Sequence, residues 1–152
     1  MRHVAITIEG VLRDPITGQP DERGRELYHA LANNYRVTLL ADRNVVDVAD
    51  WLFVEGFTKH TKVIAASRKV EDPREIRLKQ IRLLRTVGDV DLVITSEPLL
   101  VDDFYTMGQP HLLFIQPKHL GQLPPRETWD ELTARVDDDR RRAAALHDDE
   151  DT

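Results

Sequence analysis

The stretch Val4-Ala-Ile-Thr-Ile8, followed by Glu9-Gly10, decides the fold class of this chain. Its uninterrupted, β-favouring residues are typical of a central strand that is buried on both faces and ends at Glu9-Gly10. Four similar short runs follow, and a segment with helical features separates each run from the next. These runs are residues 36–41, 62–66, 91–95 and 111–115. We therefore predict a five-stranded, mainly parallel sheet built from right-handed βαβ units.

The segments between these runs have the features of helices. Asp21 can cap a helix that ends near Asn33, and residues 42–53 carry apolar side chains at helical spacing. Pro73 suits the first turn of a third helix that ends near Thr86. Helices that alternate with strands in this way cover both faces of a parallel sheet, so we predict a three-layer α/β/α architecture.

Two more helices are predicted in the second half of the chain. Ser96 can cap one that stops before Gly108, and the last helix is predicted over about residues 127–146. Three apolar residues of that last helix are predicted to face inward: Trp129, Leu132 and Val136. We expect a single domain over residues 1–136, followed by a charged, mobile C-terminal tail over residues 137–152.

Composition narrows the range of functions. The chain has 152 residues and no cysteine, which excludes disulfides, thiolate metal sites and a cysteine nucleophile. No apolar stretch approaches the roughly 20 residues of a membrane helix, so we expect a soluble, cytoplasmic protein without a membrane partner. Most of the net charge of −6 comes from residues 137–152, and the nearly neutral remainder gives no general reason to expect nucleic-acid binding.

Ligand sites in such sheets lie beyond the carboxyl ends of the strands, and here the residues at those ends resemble known motifs. The first strand reads Thr7-Ile8-Glu9-Gly10-Val11-Leu12, similar to the Asp-x-Asp-Gly-Thr/Val-Leu motif of the haloacid dehalogenase (HAD) superfamily. The second ends Leu39-Leu40-Ala41-Asp42-Arg43, and the fourth reads Ile94-Thr95-Ser96-Glu97-Pro98 where the family often has Ile-Asp-Asp-x-Pro. The resemblance covers about residues 3–117 and implies a Rossmann-like, HAD-like domain.

Within that superfamily the chain is most similar to the phosphatase domains of bacterial and phage polynucleotide kinases. The similar residues are Trp51-Leu52, Glu55-Gly56 and Gly108-Gln-Pro-His-Leu-Leu113. Many family members enclose small substrates under a cap domain. Only residues 13–20 separate the first strand from its helix, and the later connections are short, so no cap domain is expected. An uncapped crevice suits a large partner, either a protein or a nucleic-acid end.

The resemblance also implies roles, and most of the required side chains are missing. The nucleophilic aspartate is replaced by Thr7, and the acid/base aspartate by Glu9. The phosphate-binding hydroxyl is replaced by Ala41, and the acidic pair by Thr95 and Ser96. The motif is therefore degenerate, and we expect the ancestral hydrolase activity to be lost.

Some candidates for phosphate and metal binding remain. Arg77, Lys79 or Arg43 could offset the charge of a phosphate. A weak Mg²⁺ site could use Glu9, Glu97 and Asp102, because Mg²⁺ is held by carboxylates. No cofactor is expected, apart from Mg²⁺ if any activity survives. Four arginines of the third helix can share one side and are predicted to form a solvated basic face: Arg74, Arg77, Arg82 and Arg85.

Three hypotheses about function follow. The first is a catalytically degenerate binding or scaffold module whose partner is a protein or a nucleic acid. The second is a surviving phosphohydrolase that acts on nucleotide or nucleic-acid phosphate and uses Glu9 as its base. The third is a nucleic-acid end-binding protein that uses the basic face. The Arg-, Asp- and Val-rich, Lys-poor composition favours a high-GC host, either an actinobacterium or a phage of one.

Overall fold

The structure is a computed structural model of the chain, and it describes residues 2–66, 72–115 and 129–150. The chain divides into two units, Met1–Pro117 and Lys118–Thr152. The first unit contains the five-stranded β-sheet, and the described part of the second contains one helix. Every position that the sequence nominates as a functional site lies in the first unit.

The sheet has five strands, and every pair of neighbours is parallel. The strands are β1 His3–Thr7, β2 Arg36–Leu40, β3 Lys62–Ile64, β4 Leu92–Thr95 and β5 His111–Leu113. Their order across the sheet is β3-β2-β1-β4-β5. The predicted α/β class and strand number are confirmed, and the sheet is wholly rather than mainly parallel.

Helices cover both faces of the sheet, as the prediction required. Those of the first unit are α1 Glu22–Ala32, α2 Val45–Val54, α3 Pro73–Val87 and α4 Val101–Met107. Because successive strand residues point to opposite faces, β1 contributes to two separate cores. One core joins Ile6 with Tyr28 and Leu52, and the other joins Ala5 with Ile81. The first unit is therefore a three-layer, Rossmann-like α/β/α domain.

Three helices begin at polar side chains that cap them. The Asp21 carboxylate accepts the Gly24 N–H at 2.9 Å, so the predicted cap of α1 is confirmed. Asn44 caps α2, which begins at Val45 rather than at residue 42, so Asp42 lies outside the helix and is available for other contacts. Asp72 caps α3, and Pro73 occupies its first turn as predicted.

The prediction that Ser96 caps a helix is wrong. A 3₁₀ turn, Pro98–Leu100, precedes α4, and neither the turn nor α4 begins with a side-chain cap. The Ser96 hydroxyl instead donates a hydrogen bond to the carbonyl of Glu9 at 3.2 Å. Ser96 therefore ties the end of β4 to the loop that follows β1.

The second unit contains helix α5, Trp129–Glu150, which continues beyond the predicted end near residue 146. Val136 is exposed, so the prediction that it faces inward is wrong. The side chains of Trp129 and Leu132, predicted to share that face, lie outside the described residues. Among the helices described, none is both long and apolar enough to cross a membrane.

Candidate functional site

β1 is the central strand of the sheet, and β2 and β4 lie on opposite sides of it. This is the topological switch point of the sheet, where a crevice opens beyond the carboxyl ends of the strands. Three of the nominated positions meet at this edge: Thr7, Ala41 and Thr95. All three are buried, and none carries a carboxylate.

A buried arginine occupies the same edge. Arg77 comes from α3 and is completely inaccessible to solvent. Its Nη2 donates to the Asp42 carboxylate and, at 3.0 Å, to Glu97 Oε1. Asp42 follows the end of β2, and Glu97 follows the end of β4. Because β1 lies between these two strands, the ion pairs join the strand ends on both sides of it.

Gln80, one turn further along α3, fixes the position of the arginine. Its Oε1 accepts from Arg77 Nη1 at 2.7 Å. Its Nε2 donates to the carbonyls of Ala41 at 2.8 Å and Ile64 at 3.2 Å. The guanidinium is therefore connected through one amide to the ends of β2 and β3. The sequence is compatible with this contact, because Arg77 and Gln80 have the i, i+3 spacing of neighbours on a helix.

One cation therefore faces two carboxylates at the crevice. The Asp42 and Glu97 side chains are 34% and 26% exposed, so both are partly hydrated, whereas Arg77 is not. Two buried atoms at this edge have no hydrogen-bond partner among the residues that the structure describes, Thr7 Oγ1 and Arg77 Nε. A hydroxyl becomes an effective nucleophile when a base accepts its proton, and no described residue does so for Thr7.

Glu9 pairs with the loop that follows β1. Its carboxylate accepts from Arg13 Nη1 at 2.6 Å, and Arg13 lies over the ring of Trp51, 5.6 Å from the centroid. The Trp51 indole N–H donates to the carbonyl of Gly18 at 3.1 Å. These contacts hold the loop against α2. The Glu9 carboxylate is therefore used in a structural ion pair.

A small cavity of about 110 Å³ opens beside this ion pair. It is smaller than the roughly 300–1,000 Å³ of pockets that enclose drug-sized ligands. Arg43 and Asp47 also line it. The Arg43 side chain is exposed and makes no hydrogen bond or ion pair with any described residue. Of the three nominated phosphate ligands, Arg43 is the one whose charge the described part of the chain leaves uncompensated.

Two further nominated ligands are Lys79 and Asp102. Lys79 lines a cavity that Ile76 and Gln80 of α3 also line, and Asp102 is exposed at the start of α4. Across residues 2–66, 72–115 and 129–150, no group of three or more His, Asp or Glu residues is arranged to hold a metal ion. Glu97 contacts Arg77 instead.

The prediction of a solvated basic face on α3 is wrong for Arg77, which is buried. Arg74 makes two hydrogen bonds to the Asp103 carboxylate, at 2.6 and 2.7 Å, and they lower the pKa of that carboxyl below its usual value. Arg85 donates to the carbonyl of Met107 at 3.1 Å. Both contacts hold α4 against α3. Two of the four arginines predicted to form this face, Arg74 and Arg77, are therefore ion-paired within the domain.

No protein-family model matches the sequence, and no curated protein sequence is significantly similar to it. The function is therefore inferred from the side chains at the strand ends.

Proposed function

We propose that this protein is a catalytically degenerate, HAD-like domain that works as a binding or scaffold module. The observation that carries the proposal is the buried Arg77, held between Asp42 and Glu97 at the carboxyl edge of the sheet. In a phosphatase of this type, the cation at such an edge offsets the charge of the transferred phosphoryl group. Here the carboxylates of Asp42 and Glu97 already offset the charge of that cation.

Electrostatics argue against a phosphate in this crevice. A phosphate dianion that approached Arg77 would meet Asp42 and Glu97 first or would have to displace one of them. At an effective dielectric constant of about 20, two unit charges 4 Å apart interact by about 4 kcal/mol. Repulsion of that size from either carboxylate opposes the binding on which catalysis would depend.

The groups needed for covalent and metal-assisted catalysis are also missing or already in use. Thr7 is buried without a hydrogen-bonded base, and Glu9 is paired with Arg13. Mg²⁺ sites use one or two carboxylates together with substrate oxygens, and Glu97 is paired with Arg77. Glu9 or Glu97 could take part in catalysis only after its ion pair with an arginine was broken.

The exposed surface of α2 favours a protein partner over a nucleic acid. Three apolar side chains of α2 are more than 70% exposed, Val46 at its start and Phe53 and Val54 at its end. Exposed apolar groups are typical of protein contacts, whereas nucleic-acid surfaces are dominated by cations. Asp47 and Asp50 lie on the same helix and would repel a phosphate backbone.

Hydrolysis assays test the proposal. The substrates are p-nitrophenyl phosphate, nucleoside monophosphates and 3′- or 5′-phosphorylated oligonucleotides, each with and without Mg²⁺. We expect no turnover above the buffer rate, and identical traces for the wild type and Glu9→Ala, because no activated nucleophile is present. The Glu9→Ala variant controls for contaminating phosphatases.

The opposite result would favour the phosphohydrolase hypothesis. Turnover that requires Mg²⁺ and is lost in Glu9→Ala would contradict the proposal and would identify Glu9 as the catalytic base. Circular dichroism of both proteins confirms that each sample is folded. Equal turnover in both proteins would indicate a contaminant or a site that does not use Glu9, and repeated purification separates these two cases.

A further inference from the structure

A second cavity lies at the opposite, amino edge of the sheet, where β1, β2 and β3 begin. Its volume is about 90 Å³. The strands supply its polar lining, which consists of His3, Arg36, Thr38, Thr61 and Lys62, and the last turn of α3 closes one side. None of its lining residues is acidic. The cavity is thus separate from the crevice and has an excess of basic groups.

The two permanent cations of this cavity, Arg36 and Lys62, occupy neighbouring strands, and both residues are exposed. The charged groups of both make no hydrogen bond or ion pair with any residue that the structure describes. Some cations of the domain are paired, for example Arg74 with Asp103, and others are exposed, for example Arg43. At Arg36 and Lys62, two exposed cations line one cavity that has no acidic lining residue.

The pKa of the buried His3 responds to the positive charge of these two cations. His3 is 4% exposed, and its Nε2 lies 2.6 Å from the Thr38 hydroxyl. Burial lowers the pKa of His3, and the charges of Arg36 and Lys62 lower it further. The Asp89 carbonyl and the Asp91 carboxylate act in the opposite direction without reversing the shift. The ring is therefore neutral at pH 7, and the positive charge at the cavity comes from Arg36 and Lys62.

We propose that this amino-edge cavity binds an oxyanion of the phosphate class between Arg36 and Lys62, with the Thr61 hydroxyl as a further donor. Charge-assisted hydrogen bonds from guanidinium and ammonium groups are the strongest that side chains offer to such oxygens. At about 90 Å³ the cavity is smaller than the roughly 300–1,000 Å³ of pockets that enclose whole drug-sized ligands. This size suits a small group such as a phosphoryl group rather than a whole nucleotide.

A competing role for the two cations comes from α3. The helix ends at Val87, next to the cavity, and the unpaired carbonyls of a helix C-terminus attract cations without any ligand. In that case Arg36 and Lys62 would serve only the stability of the domain. Saturable binding of an anion is expected if the two cations form an anion site, and is not expected if they serve only stability.

A nuclear magnetic resonance titration of the full chain with inorganic phosphate separates these roles. We expect saturable amide shifts at Arg36, Thr61 and Lys62. We also expect a higher pKa of His3 in the bound state, because the anion offsets the cations that lower it. Arg36→Gln and Lys62→Gln should each weaken binding at least about tenfold, since each removes a charge-assisted hydrogen bond. Arg23→Gln, which removes an exposed cation of α1, is the matched control and should leave the affinity unchanged.

Adenosine 5′-monophosphate serves as the second probe and identifies the source of the phosphoryl group. Tighter binding of the nucleotide than of inorganic phosphate would indicate the phosphoryl end of a larger ligand, and the reverse would indicate the free ion. Either result supports the site, provided that Arg36→Gln and Lys62→Gln weaken the binding. The absence of saturable shifts would overturn the proposal, and so would an affinity that is the same in Arg36→Gln, Lys62→Gln and Arg23→Gln. Because this site lies at the other edge of the sheet, its failure would leave the proposed function unaffected.

Discussion

Replacing Arg77 by methionine is expected to lower the free energy of unfolding by about 3 kcal/mol. Removing one partner of a buried ion pair costs about 3–5 kcal/mol, because the other charge remains without compensation. The lower end of that range applies because Asp42 and Glu97 are partly exposed and can regain water. The substitution also leaves Gln80 Oε1 without its donor. Urea denaturation of the wild type and the variant measures the difference.

Arg82→Met is the matched control, because Arg82 lies on the same helix and is exposed. A surface substitution of this kind changes stability by less than about 0.5 kcal/mol. An equally small effect of Arg77→Met would mean that the ion pairs at the crevice contribute nothing. Arg77 would then be free to bind a ligand, which would weaken the proposal of a closed site.

Gly24→Ala is expected to lower the free energy of unfolding by about 2 kcal/mol, although alanine is the better helix former. A Cβ at Gly24 would lie 1.7 Å from the carbonyl oxygen of Val11, which belongs to the backbone and cannot move aside cheaply. Overpacking of this kind costs about 1–3 kcal/mol and occasionally more. It outweighs the gain of about 1 kcal/mol in helix propensity. Thermal unfolding followed by circular dichroism gives the effect.

The matched control for this substitution is Gly88→Ala at the end of α3. A Cβ at Gly88 would meet nothing within 4 Å, and its backbone is extended at φ 173°, which any residue adopts. We expect a change of less than about 0.5 kcal/mol. If Gly24→Ala were as well tolerated as Gly88→Ala, α1 would not pack closely against the loop after β1.

The five strands were predictable because each is a short apolar run, and a buried parallel strand requires little more than such a run. The caps at Asp21 and Pro73 were also readable, since their effect depends on the few residues that follow. Ser96 has the residue type of a cap and the neighbouring proline. Its hydroxyl nevertheless bonds to Glu9, which lies 87 positions away in sequence. Contacts of that range are invisible to local patterns.

The position of the candidate site was partly predictable from the sequence. The motif positions at the strand ends, Thr7, Ala41 and Thr95, meet at one edge because parallel strands bring their carboxyl ends together. The arginines of α3 looked equivalent in sequence, and burial separates Arg77 from the others. Burial depends on how α3 packs on the sheet. The sequence has no pattern for the ion pairs with Asp42 and Glu97, because neither carboxylate is near Arg77 along the chain.

Under the proposed function, the contacts of Arg77 explain how this crevice can persist without catalysis. A buried arginine without a bound phosphate would be an uncompensated charge, which folding penalises strongly. Asp42 and Glu97 supply the compensation from within the chain. The fold then keeps its cation and its strand ends, and the proposed binding role needs nothing from the crevice itself.

The most direct test of this account is titration of the isotope-labelled protein with Mg²⁺ and orthovanadate, an analogue of the transferred phosphoryl group. The amide resonances of Thr7, Glu9, Asp42, Arg77 and Glu97 report on the crevice. The account predicts that these five resonances do not move in a saturable manner, whatever happens at the amino edge. Saturable shifts at Thr7, Asp42 and Arg77 that require Mg²⁺ would contradict it, because they would place a metal and a phosphoryl group where the ion pairs are expected to exclude them.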